Sequence, residues 1–165
     1  MALIVEDGTI VANANSYNTV AEIRAYAVAR GSTLPVADED VEVLAIQATD
    51  YLESFYKKYQ GYRTDPANQV LQFPRTGVVL YDDYEVGSNE IPTLLKNAHA
   101  QATIEAYESD LMPNHTQGVK KEKVDVLEVE YLDGSSDSVG LPKVDALIEP
   151  LFNPSATFSV RTRRA

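Results

Sequence analysis

Residues 57 to 63 read Lys57-Lys58-Tyr59-Gln60-Gly61-Tyr62-Arg63, the only segment of the chain in which basic and aromatic residues interleave. Single-stranded nucleic acid needs this mixture, because cations neutralise its phosphates while unpaired bases stack on the rings. Two other chemistries compete for the same residues. Tyr59 can close the apolar stripe of a helix that ends here, with Lys57, Lys58 and Arg63 complementing its negative C-terminal dipole. The third is a protein interface: Tyr and Arg are enriched among interface anchors, and Tyr62, Arg63, Phe73 and Arg75 fall in one long loop. The interface is the reading the sequence favours.

Other chemistries find little support. His99 and His115 stand sixteen residues apart without a metal-binding spacing, and both read as surface or boundary residues. The acids Asp82, Asp83, Glu85 and Glu90 lack the ligand order of a calcium loop and read as a solvated turn. No nucleophile elbow, Walker loop or dinucleotide fingerprint occurs, and there is no cysteine. The expectation is a protein that is not an enzyme, with no cofactor and no bound metal.

Charge is strongly segregated. The chain carries a net charge of −11, yet its last fourteen residues, Phe152 to Ala165, hold Arg161, Arg163 and Arg164 and no acid. With Ser155, Thr157, Ser159 and Thr162 interleaved, this segment has too little apolar surface to offset its ordering entropy. It reads as an extended arm that orders on a partner. An acidic body repels phosphate at long range, which argues against a general nucleic-acid clamp. The start, Met1 to Val11, lacks a basic segment and a long apolar run, so neither a signal peptide nor a membrane span is expected, and the product is expected to be soluble and intracellular when made.

At 165 residues, one core is expected. Leu3 to Val5 and Thr9 to Val11 flank Glu6-Asp7-Gly8, a candidate hairpin or arm closed by a turn. Thr19 and Glu22 form a capping box, which predicts a helix from Val20 to Arg30, stopped by Gly31. Asp38 can cap a second helix carrying Val41, Leu44, Ala45, Ala48, Tyr51, Leu52, Phe55 and Tyr59 on one face. From Gly61 to Asn89 the periodicity dissolves into a connection of about thirty residues, a length that usually has a function. A third helix runs from Pro92 toward Asp110 with Leu95, Ala98, Ala102 and Ala106 on one face. The alternation of Val124, Val126, Leu127, Val129 and Tyr131 slips after Val126, as a β-bulge allows, and Asp133-Gly134 supplies a turn. A short helix starts at Pro142 with Val144, Leu147, Ile148 and Leu151 inward. The resulting fold is mainly α: three core helices and a short C-terminal helix, a small β-hairpin, one domain over 1–151 and a basic arm over 152–165.

Several of these segments together resemble a known family: Met1 to Thr9 with Ala12 to Tyr17, Ala48-Thr49-Asp50-Tyr51-Leu52, Gly61-Tyr62-Arg63, Phe73-Pro74-Arg75-Thr76-Gly77-Val78, Glu90-Ile91-Pro92 and Lys121-Glu122-Lys123-Val124. They resemble the head-to-tail adaptor, or connector, proteins of tailed bacteriophages, members of which are also labelled DnaT-like single-stranded-DNA-binding proteins. The resemblance implies a structural virion protein forming a ring of about twelve copies beneath the portal. Its partners would be the portal, neighbouring copies of itself and a downstream stopper or tail protein. DNA would pass through the channel without specific binding. Assembly in the host cytoplasm and a final place in the virion neck follow, with no membrane. On that reading Phe152, Phe158, Arg161, Arg163 and Arg164 dock on the portal, while Tyr62, Arg63, Phe73 and Arg75 meet a neighbour or the next tail protein. The alternative, a single-stranded-DNA-binding protein, would use Lys57, Lys58, Tyr59, Tyr62 and Arg63.

Overall fold

The computed structural model describes residues 2–112, 122–124, 127–129 and 141–154. The capping box forms as expected: the Thr19 hydroxyl accepts from the Glu22 amide at 3.2 Å, and the Thr19 amide donates to the Glu22 carboxylate at 2.7 Å. It opens α1 (Val20–Val28), which ends two residues before the predicted Arg30. Gly31 turns left-handed at φ 68°, and the Ser32 amide donates back to the Ala27 carbonyl.

The next helix, α2 (Asp38–Glu53), has Asp38 inside its first turn rather than as its cap, with Ala37 at the cap position. The Asp38 carboxylate instead accepts from Arg24 of α1 at 2.7 and 3.0 Å, while the same guanidinium donates to the Pro35 and Val36 carbonyls. One arginine thus fixes the α1–α2 connection. Although α2 stops at Glu53, Phe55 and Tyr59 still pack on the core beyond it.

At the centre lies α3 (Thr93–Glu108), which touches α1, α2 and α4. Its predicted apolar face is real, with Leu95, Ala98 and Ala102 fully buried. Ala100, Gln101, Thr103 and Ile104 are buried too, so the helix is enclosed on more than one side. The final helix α4 (Pro142–Ile148) continues into a 3₁₀ turn at Glu149–Leu151, and Val144, Ile148 and Leu151 join the main core.

Two short antiparallel ribbons lie among the described residues. β1 (Tyr62–Arg63) pairs with β2 (Arg75–Thr76) through Tyr62↔Thr76 and Arg63↔Arg75. β3 (Glu122–Val124) pairs with β4 (Leu127–Val129) through Val124↔Leu127. The slip in alternation falls at residues 125 and 126, outside the described residues, and the strands on either side of them pair antiparallel with each other. The predicted turn at Asp133-Gly134 lies outside the described residues.

Candidate interaction surface

The connection between α2 and α3 is an ordered lobe tied to the body at several points. Gly61, at φ 62°, brings β1 so close to β2 that a Cβ there would lie 2.1 Å from the Thr76 carbonyl oxygen. The Arg75 guanidinium reaches under the ribbon and donates to the carbonyls of Gln60 and Gly61, both at 2.7 Å, and to the Gln72 side chain at 3.0 Å. From α2, the Glu53 carboxylate accepts from the Gln72 amide at 2.9 Å and from the Tyr17 hydroxyl at 2.6 Å. That hydroxyl in turn accepts from the Phe73 amide. The Gln69 side-chain amide donates to the Leu71 and Pro74 carbonyls, and Asp65 caps its own turn through Ala67 and Asn68. A second reversal, held by the Val79↔Glu85 bridge, carries the 3₁₀ turn Tyr81–Asp83 at its tip.

This framework points three tyrosines outward: Tyr62 is 82% exposed, Tyr81 72% and Tyr84 55%. Acids adjoin two of them in sequence: Asp82 and Asp83 follow Tyr81, and Glu85 follows Tyr84, whose hydroxyl also meets Glu90 at 3.4 Å. From Tyr62 to Pro92 the chain carries Asp65, Asp82, Asp83, Glu85 and Glu90 against two cations, Arg63 and Arg75, with Lys57 and Lys58 just before β1. Both cations feel the Glu53 charge, but their hydrogen bonds go to backbone and amide groups: Arg63 donates to the Gln69 and Pro66 carbonyls and Arg75 to the groups named above. Glu90 accepts from the Gly87 amide and the Tyr84 hydroxyl.

The predicted site residues are thereby divided. Tyr62 is a free surface ring, whereas Phe73 is wholly buried and Arg75 6% exposed, so these two build the lobe from inside and offer no contact to a partner. Tyr59 is also core, its hydroxyl donating to the Leu52 carbonyl and its ring meeting Phe73 edge-on at 5.2 Å. It cannot stack on a base. Lys57 and Lys58 are exposed, with the Lys58 ammonium 4.9 Å from the Phe55 ring centre. Phe152, expected in the docking arm, belongs to the body: it packs on Phe55 and Tyr59, and the segment 151–153 runs antiparallel to 58–60. Gln60 and Asn153 donate their amides to Leu151 and Lys58 respectively. Phe158, Arg161, Arg163 and Arg164 lie outside the described residues.

One family model, described as "Putative DnaT-like ssDNA binding protein", matches residues 1–165. The chain belongs to this DnaT-like family. No curated protein and no solved structure matches it significantly.

In this DnaT-like chain a buried polar cluster among the described residues centres on His99 of α3. His99, read as a surface or boundary residue, is fully buried. Its Nε2 faces the Ala45 carbonyl at 3.0 Å, an obligate acceptor, so this nitrogen carries the proton; Nδ1 then accepts from the Asn18 side-chain amide at 3.1 Å. Thr49 Oγ1 sits 3.0 Å from the same Nε2, and the Tyr17 ring packs edge-on at 6.1 Å. Burial pushes the imidazole down to about 4, so it is neutral at pH 7. Burial likewise raises Glu53 above the ordinary carboxylate range, opposed by the hydrogen bonds from Tyr17 and Gln72. Tyr17 itself is raised by burial and by the Glu53 charge. Near the N-terminus the buried Glu6 carboxylate accepts from the amides of Gly8, Ile10 and Val11, closing the predicted turn as a compact loop. Gly8 packs against the Asn89 carbonyl, which joins that loop to the lobe.

Proposed function

We propose that this chain is a structural assembly subunit: a head-to-tail adaptor that forms a ring beneath a phage portal, with no catalytic step, cofactor or metal. The observation that carries the reading is the lobe. A long connection held to the body by Arg75, Glu53 and Tyr17, yet displaying Tyr62, Tyr81 and Tyr84, has the character of a rigid protein-binding surface. Its acids disfavour contact with phosphates, which suits a subunit beside a channel through which DNA must pass freely. Neighbouring copies and a downstream stopper or tail protein are the proposed partners of the lobe. The arginines beyond Pro154 are assigned to the portal, which places the protein in the virion neck after assembly in the host cytoplasm.

The family description favours a second reading, single-stranded-DNA binding. Of the basic and aromatic residues proposed for it, Lys57, Lys58 and Tyr62 remain exposed and Arg63 is half-buried, donating to the Gln69 and Pro66 carbonyls, while Tyr59 is buried in the core.

Native mass spectrometry tests the first reading. Full-length protein and a chain ending at Pro154 are each mixed with portal rings from the same genome. Multiple copies on the ring from the full chain, and none from the shortened one, support the adaptor. Anisotropy titration with oligo-dT tests the second: binding that weakens with salt and loses about 0.7 of log–log slope per cation in Lys57→Gln and Lys58→Gln would support it. Absence of portal binding together with such salt-sensitive binding would replace the adaptor reading by the second.

A further inference from the structure

We propose that Gln60 couples the segment 150–153 to the turn that carries Tyr81 and Tyr84, so that loosening one side loosens the other. All four of its polar groups are used, and they divide between the two sides. Toward the C-terminal segment, its amide donates to the Leu151 carbonyl at 2.9 Å and its side-chain Nε2 to the Pro150 carbonyl at 3.0 Å. Toward the lobe, its carbonyl accepts from Arg75 Nε at 2.7 Å and its Oε1 from the Val79 amide at 3.2 Å. The partners fix the orientation of the side chain, because a carbonyl only accepts and a backbone amide only donates. Turned over, the same group would set oxygen against oxygen and nitrogen against nitrogen.

The backbone at this point is firm. The buried Tyr59 ring lies between Phe152 at 5.3 Å and Phe73 at 5.2 Å, and its hydroxyl donates to the Leu52 carbonyl. The Gln60 side chain, reaching from Pro150 to Val79, is therefore the part that can respond. On its C-terminal side the pairing is short and near solvent: Asn153 donates its amide to the Lys58 carbonyl at 2.7 Å and its side chain to the Tyr59 carbonyl at 3.1 Å, while Asn153 is exposed and Phe152 half-buried. Contacts of this kind open more readily than packed helices. On the other side Val79 enters a narrow stem in which the Leu80 amide donates to the Tyr84 carbonyl at 2.8 Å and the Val86 amide to the Val78 carbonyl at 2.9 Å. The Val79 amide is not spent in that stem pairing, so Gln60 ties the stem to the body without competing with it. When 150–153 opens, the Gln60 amide group loses Pro150, swings away from Val79 and leaves the stem held by its own two hydrogen bonds. Coupling between two sites is reciprocal, so a partner that pins the Tyr81–Tyr84 turn also tightens 150–153. The two ends respond together whatever binds either of them, in an adaptor ring or outside one.

Amide hydrogen exchange followed by NMR on the ¹⁵N-labelled full-length chain tests the coupling. Phe152→Ala removes a ring from the C-terminal side, and Asn153→Ala is a milder change that leaves every core side chain in place. Each is expected to speed exchange of the Val79, Leu80 and Val86 amides about fivefold while the amides of α1 and α3 keep the parent rates. In a Gln60→Ala background the same three amides should start faster, and Asn153→Ala should then add less than about twofold. Parent rates at Val79, Leu80 and Val86 in the Asn153→Ala chain overturn the proposal. An equal acceleration in α1 and α3 also overturns it, because it reports a general loss of stability. A response that persists in full without the Gln60 side chain overturns the assignment of the link to Gln60.

Discussion

Acidification should weaken this fold through one residue, and the size of the effect follows from its surroundings. His99 is held neutral at the centre of the helices, its proton on Nε2 facing Ala45 and its Nδ1 occupied by Asn18. Its value falls from 6.5 to about 4. A group depressed on folding takes up its proton first in the unfolded chain, so stability is fully present above pH 6.5 and is lost as pH falls through the window down to about 4. At about 1.4 kcal/mol per unit the complete loss is about 3 kcal/mol, of which about 2 kcal/mol has gone by pH 5. Glu53 and Asp145, both raised by burial, act in the opposite sense: the native state takes up their protons first, which favours folding as pH falls. The histidine contribution is therefore read as a difference. Urea unfolding followed by circular dichroism at pH 7.5 and pH 5 would compare the parent with His99→Gln, both carrying His115→Gln to remove the other imidazole. His99→Gln should be less stable at neutral pH but should lose about 2 kcal/mol less on acidification. Equal losses in the two proteins, within about 0.5 kcal/mol, would refute the buried-histidine account.

Three further outcomes probe the lobe. Arg75→Met removes a buried cation that serves the Gln60, Gly61 and Gln72 carbonyls, and should cost about 3 kcal/mol, with hydrogen exchange accelerating across residues 60–80 before the amides of α3. Gly61→Ala, whose Cβ would meet the Thr76 carbonyl oxygen at 2.1 Å, should cost about 3 kcal/mol or prevent β1 from pairing with β2, as measured by thermal unfolding and by loss of the Tyr62 and Arg63 strand shifts. Tyr62→Ser with Tyr84→Ser should leave stability within about 0.5 kcal/mol of the parent, since both rings are exposed, while abolishing ring formation in the portal mixture.

What the sequence disclosed and what it hid follow from the range of the interactions involved. The Thr19–Glu22 box, the Leu95/Ala98/Ala102 face and the Val144/Ile148/Leu151 face are local patterns, and the fold realises each of them. The lobe was legible as a long connection with a task, but its anchors were not, because Tyr17 and Glu53 reach it from 56 and 19 positions away. His99 was misplaced because one apolar stripe on α3 suggested one buried face; the remaining sides are closed by α1, α2 and α4, whose arrangement no periodicity reports. Arg75 could have been suspected. It stands between Phe73 and Thr76-Gly77 in a segment that must turn back on β1, where a long donor fork can satisfy carbonyls that a second strand leaves open.

The fate of the cations bears most directly on function. Single-stranded nucleic acid would require positive charge and open rings on the same surface. On the lobe the two are sorted apart: Arg63 and Arg75 donate to backbone carbonyls, Tyr59 is buried, and the exposed Tyr81 and Tyr84 adjoin acids in sequence. Lys57 and Lys58 stay exposed next to Tyr56, which is 52% exposed with its ring centre 5.4 Å from the Lys57 ammonium, so this short stretch is where positive charge and an open ring coincide. A surface of rings with carboxylates fits an arginine-bearing polypeptide better than a phosphate chain, because each guanidinium gains a carboxylate partner there, whereas each phosphate would face one. On the adaptor reading, replacing Lys57 and Lys58 should leave assembly intact, while replacing Tyr62 and Tyr84 should not; on the single-stranded-DNA reading the two outcomes exchange places.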